Sequence, residues 1–116
     1  MNRDIGKLGE QYARNYLEQR GYIHIRSNWY CSYSEIDLIM IYAKEIVFVE
    51  VKMTTEKSFT VPEMHFNKKK VTKLLKAINI YNSINRIKEY RFDLITVTEK
   101  NGVHKIVHYQ DVLSLL

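Results

Sequence analysis

Apolar residues recur at helical spacing in two stretches of this chain. The first stretch predicts a helix over residues 4–20, with Asp4 as its N-cap and Gly21 as the residue that ends it. The second stretch predicts a long amphipathic helix that begins near Thr60 and Glu63, which have the spacing of a capping box. The apolar stripe of this second helix consists of Val71, Leu74, Leu75, Ile78 and Tyr81.

Segments rich in β-branched and aromatic residues lie between and after these helices. Only Ala43 and Lys44 separate two such segments near the middle of the chain, so these two are predicted to form an antiparallel hairpin. Asn101 and Gly102 give a strong hairpin turn signal later in the chain, and Asp111 is expected to cap a short terminal helix. The predicted strands cover residues 22–28, 33–42, 45–53, 90–98 and 103–109.

The predicted element order is α-β-β-β-α-β-β, and the central hairpin decides how these elements pack. Both of its faces are largely apolar, and strands that are apolar on both faces are covered on both sides. The two helices are the available covers, which predicts an α/β fold of three α/β/α layers around a mixed central sheet. Residues 1–116 are expected to form a single domain, because the chain is too short for two. Strict alternation places Ile36, Leu38, Met40, Val47, Val49 and Val51 on one face and Ile39, Ile41, Ile46 and Phe48 on the other.

Composition narrows the classes of partner and compartment. The net charge is +5, which favours polyanionic partners such as nucleic acid. Cys31 is the only cysteine, so an intramolecular disulfide and a thiolate zinc site are both excluded. The first residues lack the apolar core of a signal peptide, and the apolar runs are too short to cross a membrane. A cytoplasmic protein without a membrane partner is therefore expected.

Charged side chains interrupt the two apolar strands of the hairpin at matching positions. A symmetric turn places Asp37 opposite Glu50 and Glu35 opposite Lys52, with Cβ atoms about 5 Å apart. Carboxylates that face each other inside a sheet are costly unless a cation neutralises them, and such hard oxygen donors suit Mg²⁺ or Mn²⁺. We therefore predict a metal site at Asp37 and Glu50. Lys52 beside it would activate a water molecule or stabilise charge on a phosphate.

Two further carboxylates have alternative interpretations. Glu35 either supports the metal site or forms an ordinary cross-strand ion pair with Lys52. Glu10 on the first helix has Lys7 and Arg14 at the spacing of exposed helical ion pairs. Glu10 is therefore either a supporting acidic residue of the site or a surface residue with no role in chemistry.

Lysines cluster along the second predicted helix. Lys69, Lys70, Lys73 and Lys76 are the candidates for contact with nucleic-acid phosphates, and the alternative is a solvated face without a ligand. One lysine of this run is expected near the acidic site, and the sequence does not choose between Lys69 and Lys70. The nine tyrosines and Trp29 are assigned mainly to the core rather than to base stacking.

The motifs, taken in order, resemble those of the YraN-like family of uncharacterised bacterial proteins. Within them, Asp37 followed by Glu50-Val51-Lys52 resembles the motif of the PD-(D/E)XK nuclease superfamily. Ser34 stands where the YraN-like family usually has glycine. Met53 follows Lys52, where the YraN-like family usually has a basic residue shortly afterwards. The matching segments are Gly9-Glu10, Ala13, Leu17, Gly21-Tyr22, Asn28, residues 35–39, residues 47–52, a lysine at 68–70, Ala77 and Arg91-Phe92-Asp93.

The resemblance implies a restriction-endonuclease-like fold similar to that of Holliday junction resolvases. It implies that Asp37 and Glu50 bind the metal with help from the Val51 carbonyl, that Lys52 serves catalysis and that Glu10 supports the site. The expected function is a metal-dependent endonuclease that hydrolyses DNA, with branched or junction DNA among the candidate substrates. The alternative is a non-catalytic nucleic-acid-binding module that retains the fold. A homodimer is expected if two strands are cut symmetrically.

Overall fold

The computed structural model describes residues 2–55 and 68–115, and its elements follow the predicted order. The predicted capping box at Thr60 and Glu63 lies outside these residues. The elements are helix α1 (Asn2–Gln19), strands β1 (Ile23–Tyr30), β2 (Glu35–Tyr42) and β3 (Glu45–Thr55), helix α2 (Lys68–Asn85), strands β4 (Tyr90–Lys100) and β5 (Val103–Tyr109), and a C-terminal 3-10 helix (Val112–Leu115).

Helix α1 begins earlier than its apolar stripe indicates. Its first residue is Asn2, so Asp4 lies inside the first turn and the prediction of Asp4 as N-cap is wrong. The stripe starts only at Ile5, and the polar residues before it continue the backbone helix without adding to the apolar pattern.

The end of α1 agrees with the prediction and sets the path into the sheet. The Gly21 N–H donates to the Glu18 carbonyl over 3.1 Å, and the Tyr22 N–H donates to the Leu17 carbonyl over 3.0 Å. Gly21 has a φ of 92°, a backbone conformation in which a residue with a side chain would be strained. This is the Schellman arrangement, and it turns the chain so that Tyr22 and Leu17 pack in the same core cluster.

The five strands form one mixed sheet whose spatial order, β1-β2-β3-β4-β5, is also their order in the chain. β3 and β4 are parallel, and every other neighbouring pair is antiparallel. Helix α2 forms part of the crossover between β3 and β4, which a parallel pair requires. The predicted α/β class and the mixed sheet are thus confirmed.

The β2–β3 hairpin closes without glycine. Ala43 and Lys44 have φ angles of 50° and 69°, the left-handed values that a two-residue hairpin turn of type I′ needs at both central positions. Asn101 and Gly102 make the same kind of turn between β4 and β5, with φ angles of 51° and 77°. Alternation of apolar residues on the flanking strands, rather than turn chemistry, therefore predicted the first hairpin correctly.

Within the described residues, no helix is both long and apolar enough to cross a membrane.

Two buried clusters, one on each face of the sheet, give the three layers. The cluster under α1 contains Ala13, Leu17, Tyr22, Leu38, Met40, Val47, Val49, Ile95 and Val97. The cluster under α2 contains Ile36, Ile39, Phe48, Leu74, Ala77, Ile78, Tyr81, Phe92, Leu94 and Val112.

Alternation along β2 breaks beside Asp37. Ile36, predicted on the same face as Leu38, instead packs with Ile39 under α2, so that prediction is wrong. On β1, Asn28 has a left-handed φ of 52° between two regular ladder pairs, level with Asp37. A left-handed residue inside a strand re-aims the side chains around it. The sheet is therefore irregular at the position of the predicted site.

Candidate functional site

The β2–β3 ladder ends where the acidic residues begin. Regular pairing runs from Tyr42 and Glu45 at the turn to Leu38 and Val49. Beyond that point the two predicted cross-strand pairs, Asp37 with Glu50 and Glu35 with Lys52, are not members of the ladder.

A side chain takes over the hydrogen bond at the end of the ladder. The Val51 N–H donates to Asp37 Oδ2 over 2.9 Å. An aspartate side chain competes with backbone carbonyls for such an N–H, and here it replaces the next rung. The two strands thus present their polar residues together, although not directly opposite each other as strict symmetry predicted.

Glu10 reaches this end of the sheet from α1. The Asn28 amide donates to both Glu10 carboxylate oxygens, over 3.0 and 3.1 Å. Arg14, which sequence spacing offered as a partner for Glu10, instead pairs with Glu18 at 3.3 Å. Asn28 and Glu10 are therefore joined by two hydrogen bonds, and the role of Glu10 at the acidic site stays a prediction.

Close packing of α1 on β3 brings Glu10 to this position. A Cβ atom on Gly9 would stand 2.9 Å from the Met53 Cβ, closer than side chains tolerate. Gly9 is buried, and its lack of a side chain lets the helix approach the strand. Met53, which stands where the resembled family has a basic residue, packs into the cluster under α1.

The carboxylates lie close enough to influence one another. Burial raises the pKa of Asp37 to about 8, and the charges of Glu50, Glu10 and Glu35 add to this rise against the Val51 hydrogen bond. Burial also raises the pKa of Glu10, against its hydrogen bond from Asn28, and Glu35 and Glu50 raise it further. Three elements, α1, β2 and β3, therefore bring carboxyl groups together in one region, where they raise one another's pKa.

One lysine of α2 enters this region. Lys70 Nζ lies 3.2 Å from Glu50 Oε2, so Lys70 is the one of the two candidate lysines, Lys69 and Lys70, that pairs with this carboxylate. Lys52 is partly buried on β3, and no ion pair joins it to Glu35 in the part of the chain that the structure describes. The ordinary cross-strand pair is thus not formed.

Three further lysines of α2 are exposed. Lys69, Lys73 and Lys76 all face solvent, as their separation from the apolar stripe predicted. Lys69, Lys70 and Lys73 line an open recess of about 240 Å³ together with Ser34. A phosphate in this recess would meet ammonium groups next to the carboxylates.

The donor set suits a hard cation, although a complete binding site is not formed. Across residues 2–55 and 68–115, no three acidic, histidine or cysteine side chains stand close enough together to hold a metal ion. Asp37 and Glu50 are nevertheless the donors that Mg²⁺ prefers, and this ion usually takes only one or two carboxylates and keeps several waters. The Val51 carbonyl, the third expected ligand, belongs to the same residue as the N–H that donates to Asp37.

A second buried acidic site was missed as a site by sequence reasoning. Asp93 on β4 is fully buried and accepts two hydrogen bonds from Arg91, one from Nε and one from Nη2, each of 2.9 Å. Its carboxylate also lies 2.8 Å from His108 Nε2 and accepts the Asp111 N–H over 2.9 Å.

The signal for this second site was present in the sequence. Asp93 stands inside an apolar strand, where a charge needs a partner, and Arg91 lies two positions before it on the same face. Burial alone would raise the pKa of Asp93, but the bonds from His108, Arg91 and Asp111 outweigh it and hold that pKa below its ordinary value.

Known proteins resemble this chain over most of its length. The model of the uncharacterised protein family UPF0102 matches residues 9–97, from α1 into β4, and this span contains all the residues of the acidic region. A UPF0102 protein of Caldanaerobacter subterraneus is 38% identical over 109 residues, which are 90% of this chain and 89% of that protein. A UPF0102 protein of Flavobacterium psychrophilum is 35% identical over 109 residues, 93% of this chain and 92% of that protein. The chain therefore belongs to the uncharacterised protein family UPF0102, which is the YraN-like family that its motifs resemble.

Proposed function

We propose that this protein is a metal-dependent endonuclease that hydrolyses phosphodiester bonds in DNA. The observation that carries this proposal is the convergence of Glu10, Glu35, Asp37 and Glu50 from three elements at one end of the sheet, with Lys70 in contact and Lys52 on the same strand as Glu50. Carboxylates gathered beside ammonium groups suit the transfer of a phosphoryl group, because they bind a cation while the lysines stabilise the phosphate.

The proposal assigns a separate role to each group. Asp37 and Glu50 hold Mg²⁺ or Mn²⁺ with the Val51 carbonyl, and the bound ion supplies an activated water and neutralises charge on the phosphate. Lys52 orients or deprotonates the attacking water, or stabilises the developing charge. Glu10 and Glu35 support the site from its rim. Lys69, Lys70, Lys73 and Lys76 bind the nucleic-acid backbone.

The raised pKa of Asp37 supports a cation at this position. A carboxyl group with a pKa of about 8 is costly to ionise where it stands, because burial and Glu50 both oppose its charge. A divalent cation removes both penalties and restores the ionised form. We also place the protein in the PD-(D/E)XK superfamily as part of this proposal, because Asp37 and Glu50-Val51-Lys52 lie on neighbouring strands of a mixed sheet.

A second candidate is a nucleic-acid-binding module without turnover. The observation that favours it is the Lys70–Glu50 ion pair, in which a lysine already neutralises one of the two proposed metal ligands. Such a module keeps the basic recess and needs no cation. It predicts binding of DNA that falls with salt, no cleavage and no specific affinity for Mn²⁺.

A cleavage assay separates the two candidates. Labelled single-stranded, duplex, flap and four-way-junction DNA would be incubated with Mg²⁺, Mn²⁺ or EDTA. We expect wild-type protein to cut only with metal, and Asp37→Asn or Glu50→Gln to lower the rate by about 100-fold or more. Glu45→Gln is the matched control, because Glu45 lies on the same strand at the hairpin end. Equal cleavage by all variants would refute the assignment.

Metal binding is also measurable without any substrate. If the site holds Mn²⁺, the ion at about 100 times its Kd stabilises the folded protein by about 2.7 kcal/mol. The thermal midpoint of the wild type would then rise, while that of Asp37→Asn and Glu50→Gln would not. A rise that is equal in all three proteins would place the metal elsewhere.

A further inference from the structure

Two exposed tyrosines lie in and beside the turn that leads into β2, the strand that carries Asp37. Tyr33 lies in the turn between β1 and β2, and its side chain is 47% exposed, whereas Tyr30 at the end of β1 is 74% exposed. The turn itself is compact, because the Cys31 N–H donates to the Ser34 carbonyl over 3.1 Å. Tyr33 therefore belongs to a short turn closed by a backbone hydrogen bond rather than to a long loop.

Tyr33 is aligned with the basic face of α2. Lys76 Nζ lies 5.1 Å from the centroid of the Tyr33 ring. The adjoining residue, Ser34, lines the recess formed with Lys69, Lys70 and Lys73. Tyr33 thus contacts Lys76, the next residue lines the recess with three further lysines, and one of these, Lys70, reaches the Glu50 carboxylate.

An aromatic ring beside a row of cations is the arrangement that binds single-stranded nucleic acid. Bases stack on the ring whatever their identity, and ammonium groups follow the phosphates. Bases inside an intact duplex are already stacked and do not present a free face. Trp29, a further aromatic residue of this region, is partly buried and packs edge-on against Tyr81 beside the cluster under α2.

We propose that Tyr33 is a stacking platform for an unpaired base and that Lys69, Lys73 and Lys76 guide the adjoining single strand of DNA toward the acidic site. This inference rests on the proposed function for its choice of ligand, and it adds the class of substrate, namely DNA with an unpaired segment. Lys69, Lys73 and Lys76 are one helical turn apart in succession, so their charges follow one side of α2.

The test measures binding in EDTA, where the proposed metal-dependent cleavage cannot occur. Fluorescence anisotropy would compare a short labelled single strand, the same strand without its bases, and the matching blunt duplex. We expect Tyr33→Leu to weaken single-strand binding about 10-fold, which is about 1.4 kcal/mol. Tyr33→Phe keeps the ring and is expected to bind as the wild type does. Tyr30→Leu is the matched control for loss of an exposed tyrosine.

The strand without bases makes the test specific. The wild type should bind it as weakly as Tyr33→Leu binds the normal strand, and Tyr33→Leu should lose nothing further on it. Lys73→Ala should instead weaken binding to both strands and reduce the salt slope by about 0.7. An equal loss with Tyr30→Leu, or unchanged binding by Tyr33→Leu, would overturn the assignment of Tyr33.

The two proposals fail in different ways. Binding that depends on Tyr33 in a protein that never cuts DNA would end the nuclease proposal and leave this inference intact. Metal-dependent cleavage in a protein whose binding ignores Tyr33 would do the reverse. Tighter binding of the wild type to the blunt duplex than to the single strand would contradict the inference directly.

Discussion

Asp37 and Asp93 are acidic residues of the same sheet, yet the protein treats their charges in opposite ways. Asp93 has a guanidinium, an imidazole and a backbone N–H around it, and these hold its pKa below the ordinary value. Asp37 has one backbone N–H and three neighbouring carboxylates, and burial with these charges raises its pKa to about 8. Asp93 is thus satisfied by the fold, whereas Asp37 carries a charge that the fold alone does not stabilise.

The difference indicates which site is structural and which is open to a ligand. Arg91 also donates to the Tyr22 hydroxyl over 2.6 Å, so the Asp93 network joins β4, β5 and the end of α1. No such counter-charge lies next to Asp37 itself; the nearest ion pair in the described residues joins Lys70 to Glu50. A strained charge at the end of a ladder is typical of functional positions, where stability is given up for chemistry.

The largest expected effect comes from Asp93→Asn. The amide keeps the shape of the side chain but leaves the Arg91 guanidinium, which is mostly buried, without its counter-charge. Loss of one partner from a buried pair costs roughly 3–5 kcal/mol, and we expect a fall of this size in the free energy of unfolding. Urea denaturation in EDTA measures it. A loss below about 1 kcal/mol would show that Asp93 is not the structural centre described here.

The same substitution at Asp37 should have the opposite sign. Asp37→Asn removes a carboxyl group that must take up a proton on folding near neutral pH, and its amide oxygen still accepts the Val51 N–H. We expect this variant to be more stable than the wild type by roughly 2–3 kcal/mol near neutral pH without metal. Destabilisation by Asp37→Asn in the same urea experiment would remove the contrast between the two sites.

The dependence on pH tests the cause of that stabilisation. The folded pKa of Asp37 is about 8 and its ordinary value is 3.8, so the folded protein holds a proton that the unfolded chain releases. Stability is therefore fully present below the ordinary value and is lost as the pH rises toward about 8. The gap between Asp37→Asn and the wild type should widen by up to about 1.4 kcal/mol per pH unit in this window and then level off. A gap that is constant from about pH 5 to about pH 8 would refute this explanation.

The smallest effect concerns the ion pair at the edge of the acidic region. The Lys70 side chain is 36% exposed and that of Glu50 is 13% exposed, so water screens their attraction. A double-mutant cycle with Lys70→Gln and Glu50→Gln should give a coupling of about 0.5 kcal/mol. A coupling above about 2 kcal/mol would mean that Lys70 neutralises this region as firmly as Arg91 neutralises Asp93.

Sequence reasoning recovered the features that depend on local periodicity. Alternation on both sides of Ala43 and Lys44 predicted the central hairpin, and its apolar faces predicted the layers. Gly21 predicted the end of α1, because only a left-handed residue satisfies the last carbonyls there. These features need only residues that are close together in the chain.

The remaining features depend on contacts between distant residues. Nothing local shows that Asn28 adopts a left-handed φ and bonds to Glu10, or that Ile36 packs on the other face. The close approach of Gly9 to Met53 likewise exists only after α1 has packed on β3. The sequence therefore predicted the elements that carry Glu10 and Asp37, but not the geometry of these residues.

The order of the strands in the sheet has a consequence for how the molecule is made. Each strand pairs with its neighbour in the chain, so folding can follow synthesis from the ribosome, although β3 gains its second partner only after the crossover that contains α2. Glu10, Asp37 and Glu50 emerge before Lys70 does. Until α2 and β4 follow, the outer edge of β3 is unpaired, and such an edge is the surface at which nascent chains stick to one another. The acidic residues near the end of this hairpin are already present at that stage, and like charges beside an open strand edge oppose its pairing with another chain.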